Sequence, residues 1–390
     1  MLPLTETEGE VTHMDVRNRH MAVATSTSMI KVLDVSRRTF KQVGMTKRFE
    51  KKKNGDLIGE IKAIFLNPDG KKLCILSDQA PIPSIKIPDT KFYIYDVESE
   101  AITEAEVGYN RVPIEAFWDQ EDPRLLAIET EYIKDISRAT MDEDHLQEED
   151  SKAEADYIPG GLFKEEKEEW TGKTVETFFV TRDYGTKKQD SLRFEDGEET
   201  LLGIQVPYFF HLGQAVVSEE DAAKEEENKD SNNPTNLVIH RKPMRDFGNL
   251  INLDEETKKA ILDFSFYLTC GNMDEAYNSV RNVQNIHVWQ IMAQMCVKNK
   301  RLDVAQICLG NMRFARAAKA AREVEGEKEI EAQLAMVALQ LGMIDDAKQL
   351  YKDCGRYDLL CQMLQASGNW DEVLEVAEKH NRINLKNTHY

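Results

Sequence analysis

The sequence predicts a β plus α multidomain protein, in which partial WD40-type β-propeller blades precede a TPR-like α-solenoid. Three observations support this prediction. Short apolar segments alternate with polar turns up to Pro243, as in strands. From Glu255 onward the apolar residues recur at helical spacing, as on the predicted helix face of Ile330, Leu334, Val337, Ala338 and Leu341. A six-residue pattern also repeats through that helical part. We therefore expect blades over 1–243, a linker over 244–254 and a solenoid over 255–390.

The β part divides into sets of short strands. Each set has an inner strand, a polar turn, a strand of small and apolar residues, and a third strand that ends before Asp, which is the order in a propeller blade. Leu33 and Tyr95 stand where the repeat would place Trp, so the match is degenerate, and an open β-sandwich is the alternative. The predicted strands are 11–16, 20–25 and 29–35, then 61–67, 72–77 and 92–97, then 114–118, 125–129 and 175–182.

The number of blades is small for a closed ring. Three sets are clear, and 201–212 with 237–241 supply a fourth, whereas propellers usually have about four to eight blades. We therefore expect further blades outside this chain, or an open ring with an exposed edge. The helical array also reaches Tyr390 without a polar capping helix, so we expect it to continue.

The repeated pattern of the helical part has the chemistry of a helix start. It combines a turn residue, an apolar residue, Asp and a small residue, as in Gly271–Ala276. Gly accepts the backbone angles that end a helix, and Asp in a first turn favours the positive end of the helix dipole. We therefore interpret Asp274, Asp303, Asp345 and Asp371 as helix-initiating residues. The other copies are Lys300–Ala305, Gly342–Ala347 and Gly368–Val373, with partial copies at Gly355–Leu360 and Gly310–Ala315.

The net charge of −20 is unevenly distributed. Residues 142–169 carry 12 acidic and 3 basic side chains, and residues 219–230 carry 7 acidic and 2 basic ones. Segments with so much charge and so little apolar content are typical of solvated insertions, so we predict disordered acidic loops at about 137–170 and 218–234. The acidic balance, with a pI near 5.0, argues against nucleic acid as a partner.

Motifs of enzymes, cofactor sites and metal sites are missing from the sequence. The histidines are scattered singly, and no nucleophile elbow, phosphate-binding loop or dinucleotide fingerprint occurs. The six cysteines never show the two-residue spacing of a zinc knuckle, so we expect reduced core thiols. No apolar run is long enough to span a membrane. We therefore expect no enzyme activity, no cofactor, no metal and no direct membrane span.

Five residues are candidates for partner binding. Lys51, Lys52 and Lys53 belong to a basic cluster that suits an acidic partner or a lipid headgroup, although a solvated loop between strands is the favoured interpretation. Trp289 and Trp370 have the size of interface anchors, but each also lies on an apolar stripe, which favours core packing.

Longer runs of residues resemble a known family. They include 262–269 leading into Gly271–Ala276, Val288–Trp289, 295–298, 301–305, 308–312 and 374–380, together with 123–126, 202–208 and 242–247. These runs are similar to the intraflagellar transport protein 140 family, large subunits of the intraflagellar transport A complex. The resemblance implies the last blades of a second propeller followed by the first hairpins of the solenoid.

The resemblance also implies a function. It points to a non-enzymatic scaffold and adaptor in retrograde intraciliary transport, ciliary membrane-protein import and cilium assembly. The implied partners are the other A subunits through the solenoid, the B complex, dynein-driven trains and tubby-like cargo adaptors. The implied locations are the cilium, basal body and axoneme, with a cytoplasmic pool. The alternatives are a vesicle-coat subunit of the same architecture, a hydrolase using clustered carboxylates, and a truncated chain with no function of its own.

Overall fold

A computed structural model describes residues 6–36, 40–49, 52–53, 56–57, 61–82, 85–133, 171–194, 199–214, 237–248, 254–281, 283, 285–312, 319, 322 and 327–380. The chain forms two compact units, Met1–Pro243 and Met244–Tyr390. The first unit is built from strands and the second from helices. The acidic segments predicted at about 137–170 and 218–234 lie outside the described residues.

The strands of the first unit form antiparallel sheets that follow the chain order. The first sheet contains β1 (Val11–Arg17), β2 (His20–Thr25), β3 (Met29–Asp34) and β4 (Lys41–Arg48), and a small ribbon follows with β5 (Lys52–Lys53) and β6 (Asp56–Leu57). The second contains β7 (Ile61–Leu66), β8 (Lys72–Ile82), β9 (Ile85–Asp96) and β10 (Ala101–Glu106). The third contains β11 (Arg111–Trp118), β12 (Leu125–Tyr132), β13 (Thr174–Thr181) and β14 (Gly185–Arg193), and the fourth β15 (Thr200–Gln205), β16 (Tyr208–Gln214) and β17 (Leu237–Pro243).

The prediction of blade-like sheets is confirmed, but the prediction of three strands per set was wrong for the first three sheets. Each of these has a fourth strand, namely β4, β10 and β14. In β4 and β10 the side chains are exposed or only partly buried. Outer strands of this kind carry few apolar residues, so their sequence resembles that of a loop.

Apolar side chains pack between neighbouring sheets. One cluster joins Ala22 and Val32 of the first sheet to Leu66 and Tyr95 of the second. A second cluster joins Phe92 of the second sheet to residues of the third, including Phe178. The rings of Phe92 and Phe178 lie 5.0 Å apart. The central strands β2, β3, β12 and β13 are therefore buried on both faces, which explains their nearly continuous apolar sequences.

Side-chain hydrogen bonds connect each sheet to the next. Asp15 accepts a 2.6 Å hydrogen bond from the backbone N–H of Leu66, which links the first two sheets. The indole of Trp118 donates a 2.9 Å bond to the carbonyl of Phe65. Glu129 accepts a 2.9 Å bond from the N–H of Leu201 in the fourth sheet. Because these bonds reach backbone groups of the neighbouring sheet, they fix how the sheets stack.

The second unit begins with a short 3-10 helix, Arg245–Phe247, in the segment predicted as a linker. The described helices that follow pack as antiparallel hairpins, so the predicted TPR-like solenoid is confirmed. The helices are α1 (Glu255–Cys270), α2 (Met273–Val280), α3 (Ile286–Lys298), α4 (Leu302–Asn311), α5 (Ile330–Gln340), α6 (Ile344–Asp353), α7 (Tyr357–Ser367) and α8 (Trp370–His380). Helices α1, α3 and α5 also stack on one another from one hairpin to the next.

The repeated pattern does mark helix corners. Gly271 has φ 81°, in the left-handed region, and its backbone N–H caps the carbonyls at the end of α1. Lys300 occupies the matching corner between α3 and α4 with φ 55°, in a conformation that suits Gly better than Lys. The four Asp residues of the full copies lie in first turns, as predicted: Asp274, Asp303, Asp345 and Asp371.

The partial copy Gly310–Ala315 lies only in part within the described residues, since 313–315 are outside them. Gly310 belongs to α4, which ends at Asn311, so this glycine is not the corner residue. The predicted apolar face of α5 included Ile330, which is 57% exposed, whereas Leu334 and Val337 are buried. Ile330 is the first residue of the helix, and the buried part of the stripe begins at Leu334.

Candidate interaction groove on the helical unit

A groove of about 650 Å³ runs between α2 and α4 of the second unit. Helix α1 packs on α2 and α3 packs on α4, whereas α2 and α4 contact each other much less, which leaves the space between them. We call it the α2–α4 groove. It is lined by Phe264, Met273, Asp274, Tyr277, Asn278, Val280, Trp289, Val304, Ile307 and Cys308.

Core residues form the floor of this groove. Trp289 is 8% exposed, and its indole N–H donates a 3.0 Å hydrogen bond to the carbonyl of Val283. The bond holds the ring in one orientation, because a buried indole needs an acceptor. Asn285 caps α3 by accepting a bond from the N–H of His287, which places Trp289 in the first turns of that helix. Val280 and Cys308 are also buried.

The rim of the groove is apolar but exposed. Tyr277 of α2 is 49% exposed and Ile307 of α4 is 52% exposed. Tyr277 lies four residues after Met273, and Ile307 lies three residues after Val304, so each helix has a second apolar face besides its buried one. Exposed apolar side chains that adjoin a groove are typical of a binding surface.

The charge of the groove is negative. Among the lining residues that the structure describes, Asp274 is the one that carries a charge. Within the described part of the chain, the Asp274 carboxylate makes no ion pair or side-chain hydrogen bond. Nearby in the sequence of α4, Asp303 is already paired with Arg301, at 2.8 Å between Oδ2 and Nη2. That guanidinium holds the pKa of the Asp303 carboxyl below its usual value.

A second cavity of the helical unit is smaller and polar. It has a volume of about 150 Å³ and is lined in part by Arg245, Asp246, Lys298 and Asp346. Its charges are paired with each other: Lys298 lies 3.2 Å from Asp246, and Arg245 pairs with Asp346. These pairs connect the 3-10 helix to α3 and α6, so we interpret this cavity as structural.

The groove can bind a partner through apolar contact and one negative charge. In the described ranges, no cluster of three or more His, Cys, Asp and Glu residues has the geometry to hold a metal ion. None of the described helices has the length and apolar character needed to cross a bilayer.

The predicted partner-binding residues are dispersed. Trp289 lies in the groove floor, whereas Trp370 is 53% exposed at the start of α8 and is not part of the groove. Lys52 and Lys53 form β5, which pairs with β6, so the basic cluster is not a continuous loop. Lys51 lies outside the described residues.

Sequence reasoning missed Met273, Tyr277 and Ile307. Their signal was present, because α2 and α4 each show apolar residues at helical spacing outside the stripe that contains Ala276 or Ala305. A second apolar stripe on a short helix indicates a surface that another element covers.

Comparison with solved structures finds matches of low identity. Crystal structures of Saccharomyces cerevisiae Sqt1 and of the β-propeller domain of the Trilobed protease from Pyrococcus furiosus are 7% and 14% identical to this chain. The matches cover 52% and 62% of this chain, with TM-scores of 0.26 and 0.27. The chain spans 41% of the first of these proteins and 58% of the second.

Comparison with protein families is more specific. Residues 1–108 and 103–214 match the family model described as the IFT140 second beta-propeller. Residues 271–390 match the model described as the TPR domain of IFT140 and IFT172. The two matches occur in the order that the sequence resemblance implied, and the first alone covers more than half of the chain. This chain therefore belongs to the IFT140 family.

Proposed function

We propose that this chain is a non-enzymatic scaffold and adaptor segment of the intraflagellar transport A complex. In this role it acts in retrograde intraciliary transport, in import of ciliary membrane proteins and in cilium assembly. The observation that carries the proposal is the succession of the two family matches, propeller and then TPR domain, along one chain.

The geometry of the helical unit supports a binding role. Stacked hairpins present an extended surface on which partner contacts are distributed over several helices. The α2–α4 groove adds a concave apolar site with exposed Tyr277 and Ile307 at its rim. We assign contacts with other A subunits to this unit. Contacts with the B complex, dynein-driven trains and tubby-like cargo adaptors are proposed for the assembled complex.

Trp370, Lys52 and Lys53 are proposed as further partner contacts. A half-exposed Trp is a common interface anchor, since it offers a large contact area with little side-chain entropy to lose. The two lysines follow β4 in a short ribbon of the first unit, in a basic segment that suits an acidic partner.

Co-purification tests the proposal. The tagged chain is expressed in ciliated cells, and the proteins recovered with it are identified by mass spectrometry. We expect the other A subunits, and we expect the chain at the basal body and along the axoneme by light microscopy, with a cytoplasmic pool. Recovery of vesicle-coat subunits in their place would favour the coat-protein alternative and contradict the proposal.

A matched pair of variants tests the exposed aromatic residue. Trp370→Ala should weaken recovery of at least one A subunit, because it removes a proposed anchor. Tyr109→Ala, which alters an exposed aromatic residue of the first unit, is the control and should leave that recovery unchanged. Equal recovery with both variants would remove Trp370 from the interface.

A further inference from the structure

The α2–α4 groove has a length that suits a helix. Helix α2 has 8 residues and α4 has 10. At about 1.5 Å per residue, the walls are roughly 12 and 15 Å long. A packed helix of two to three turns fills that length. An extended strand of the same length has only about four residues.

The lining of the groove favours the helix over the strand. An extended peptide has free backbone N–H and C=O groups, which lose free energy when they are buried without a partner. Among the lining side chains, Asp274 and Asn278 lie together at one wall, and the floor consists of Trp289, Val280 and Cys308. A helix satisfies its own backbone groups internally and needs only apolar contact from such a floor.

The charge of the groove indicates which helix fits. The Asp274 carboxylate is exposed. Within the described ranges it makes no ion pair, and none of the described lining residues is basic. A partner with an acid beside its apolar stripe would be repelled, and one with Lys or Arg there would gain an ion pair. The complementary surface is therefore apolar with a basic edge.

We infer that the α2–α4 groove binds an amphipathic helix of a partner protein, with apolar residues at positions i, i+3 or i+4, and i+7 and a Lys or Arg facing Asp274. Tyr277 and Ile307 contact the two sides of this helix, and Trp289 forms the floor beneath it. The inference rests on the proposed scaffold role, since it names the kind of segment through which a partner subunit attaches.

Photo-crosslinking in the whole chain tests this inference. The probe p-benzoylphenylalanine replaces Tyr277 in one preparation and Ile307 in a second, and both are expressed in ciliated cells. Mass spectrometry then identifies the crosslinked peptide. We expect both probes to react with the same partner segment, whose sequence has the apolar spacing and the basic residue described. A control probe at Ile330, exposed but outside the groove, should not give that peptide.

Two pairs of variants separate binding from folding. Ile307→Asp should reduce the crosslink at Tyr277 by about tenfold or more, as expected for a hot-spot residue. Ile330→Asp, the matched control, should leave it unchanged. Asp274→Lys should reduce the crosslink through repulsion of the basic residue. Asp371→Lys also places a base in a first turn, so it controls for the helix dipole and should have no effect.

The outcomes distinguish this inference from the proposed function. Crosslinks to an extended or acidic segment, or equal effects of Asp274→Lys and Asp371→Lys, would overturn the helical occupant. If A subunits co-purify but neither groove probe reacts with them, the groove is not their site and the scaffold role stands. If the probes react with a basic amphipathic helix of a protein outside intraflagellar transport, the groove assignment stands and the proposed function fails.

Discussion

The hydroxyl of Ser265 donates a 2.8 Å hydrogen bond to Oδ2 of Asp246, and both side chains are buried. The other carboxylate oxygen lies 3.2 Å from Nζ of Lys298. One carboxylate thus joins the 3-10 helix at the start of the second unit to α1 and α3.

Removal of this carboxylate should destabilise the helical unit. Asp246→Ala removes the buried carboxylate that pairs with Lys298, so we expect a loss of about 3 kcal/mol in the free energy of unfolding. Ser265→Ala removes one neutral donor and should lower it by about 1 kcal/mol. Hydrogen exchange of the α1 amides measures both changes. Asp274→Ala, at an exposed first-turn site, is the control and should lower the free energy of unfolding by only about 0.3 kcal/mol. An equal loss in all three variants would contradict the role of the buried pair.

The backbone conformation at Lys300 predicts a stabilising substitution. Its φ of 55° is unfavourable for a residue with a Cβ atom, so Lys300→Gly should stabilise the α3–α4 hairpin by about 0.5 to 1 kcal/mol. The ion pair lost with Glu331 is exposed and contributes little. Urea unfolding followed by circular dichroism measures this change, and a destabilised Lys300→Gly variant would contradict the strain.

The equivalent corner at Gly271 should respond in the opposite direction. A Cβ atom there meets no atom within 4 Å, so Gly271→Ala tests backbone conformation alone. We expect a loss of about 1 kcal/mol in the free energy of unfolding. Gly310→Ala, inside α4 and equally open, should instead be neutral or stabilising. The same urea experiment distinguishes the two, and a loss at both positions would indicate a cause other than φ.

The fourth sheet should lose stability in mild acid. Burial lowers the pKa of His211, with smaller lowering effects of His240 and Lys242 and an opposing one of Glu199. Since the usual pKa is 6.5, the unfolded chain binds more protons than the folded one just below that pH. Stability is therefore complete above 6.5 and falls as the pH drops toward the lowered folded value.

The variant His211→Phe isolates this effect. The neighbouring ring of Phe194 lies 5.5 Å away, so an aromatic residue is compatible with the site. Burial raises the pKa of Glu115 and of Asp119, so these groups act in the opposite direction and are common to both proteins. Thermal unfolding between neutral and mildly acidic pH should show a smaller loss of stability in His211→Phe than in the unchanged chain. An identical pH profile would contradict the prediction.

The hydrogen bond from Trp118 to Phe65 predicts that a conservative substitution destabilises the first unit. Trp118→Phe removes a buried donor and shortens the side chain between the second and third sheets. We therefore expect the free energy of unfolding of the first unit to fall by about 2 kcal/mol. Trp370→Phe, at an exposed position, should change the stability by less than about 0.5 kcal/mol. Hydrogen exchange of the β7 and β11 amides reports the difference, and similar values for both variants would contradict it.

The sequence predicted the buried strands and the helix corners well because both have local signals. The stretch of β12 from Leu125 to Glu129 is apolar enough to predict a buried strand. Gly271 predicts a residue with left-handed backbone angles at the end of a helix. The outer strand β4 could not be recognised in the same way. It is recognised by its hydrogen bonds to β3, which the sequence does not show, while most of its side chains are exposed.

The groove was only half predictable for a related reason. Periodicity showed that Trp289 packs against other residues, and this is correct. Periodicity does not show that α2 and α4 stay apart above it, because that distance depends on how successive hairpins stack. Trp289, which was predicted as a partner anchor, therefore forms part of the groove floor. Ile307, at the rim of the groove, was not predicted to belong to any site.

The floor of the groove has one more consequence. Trp289, Val280 and Cys308 hold the first two hairpins together and also face any occupant, so binding and folding share the same side chains. By linkage, an occupant present at 100 times its dissociation constant would add about 2.7 kcal/mol to the stability of those hairpins. Assembly would then act as a folding aid, and an unassembled copy of the chain would be the one exposed to proteolysis.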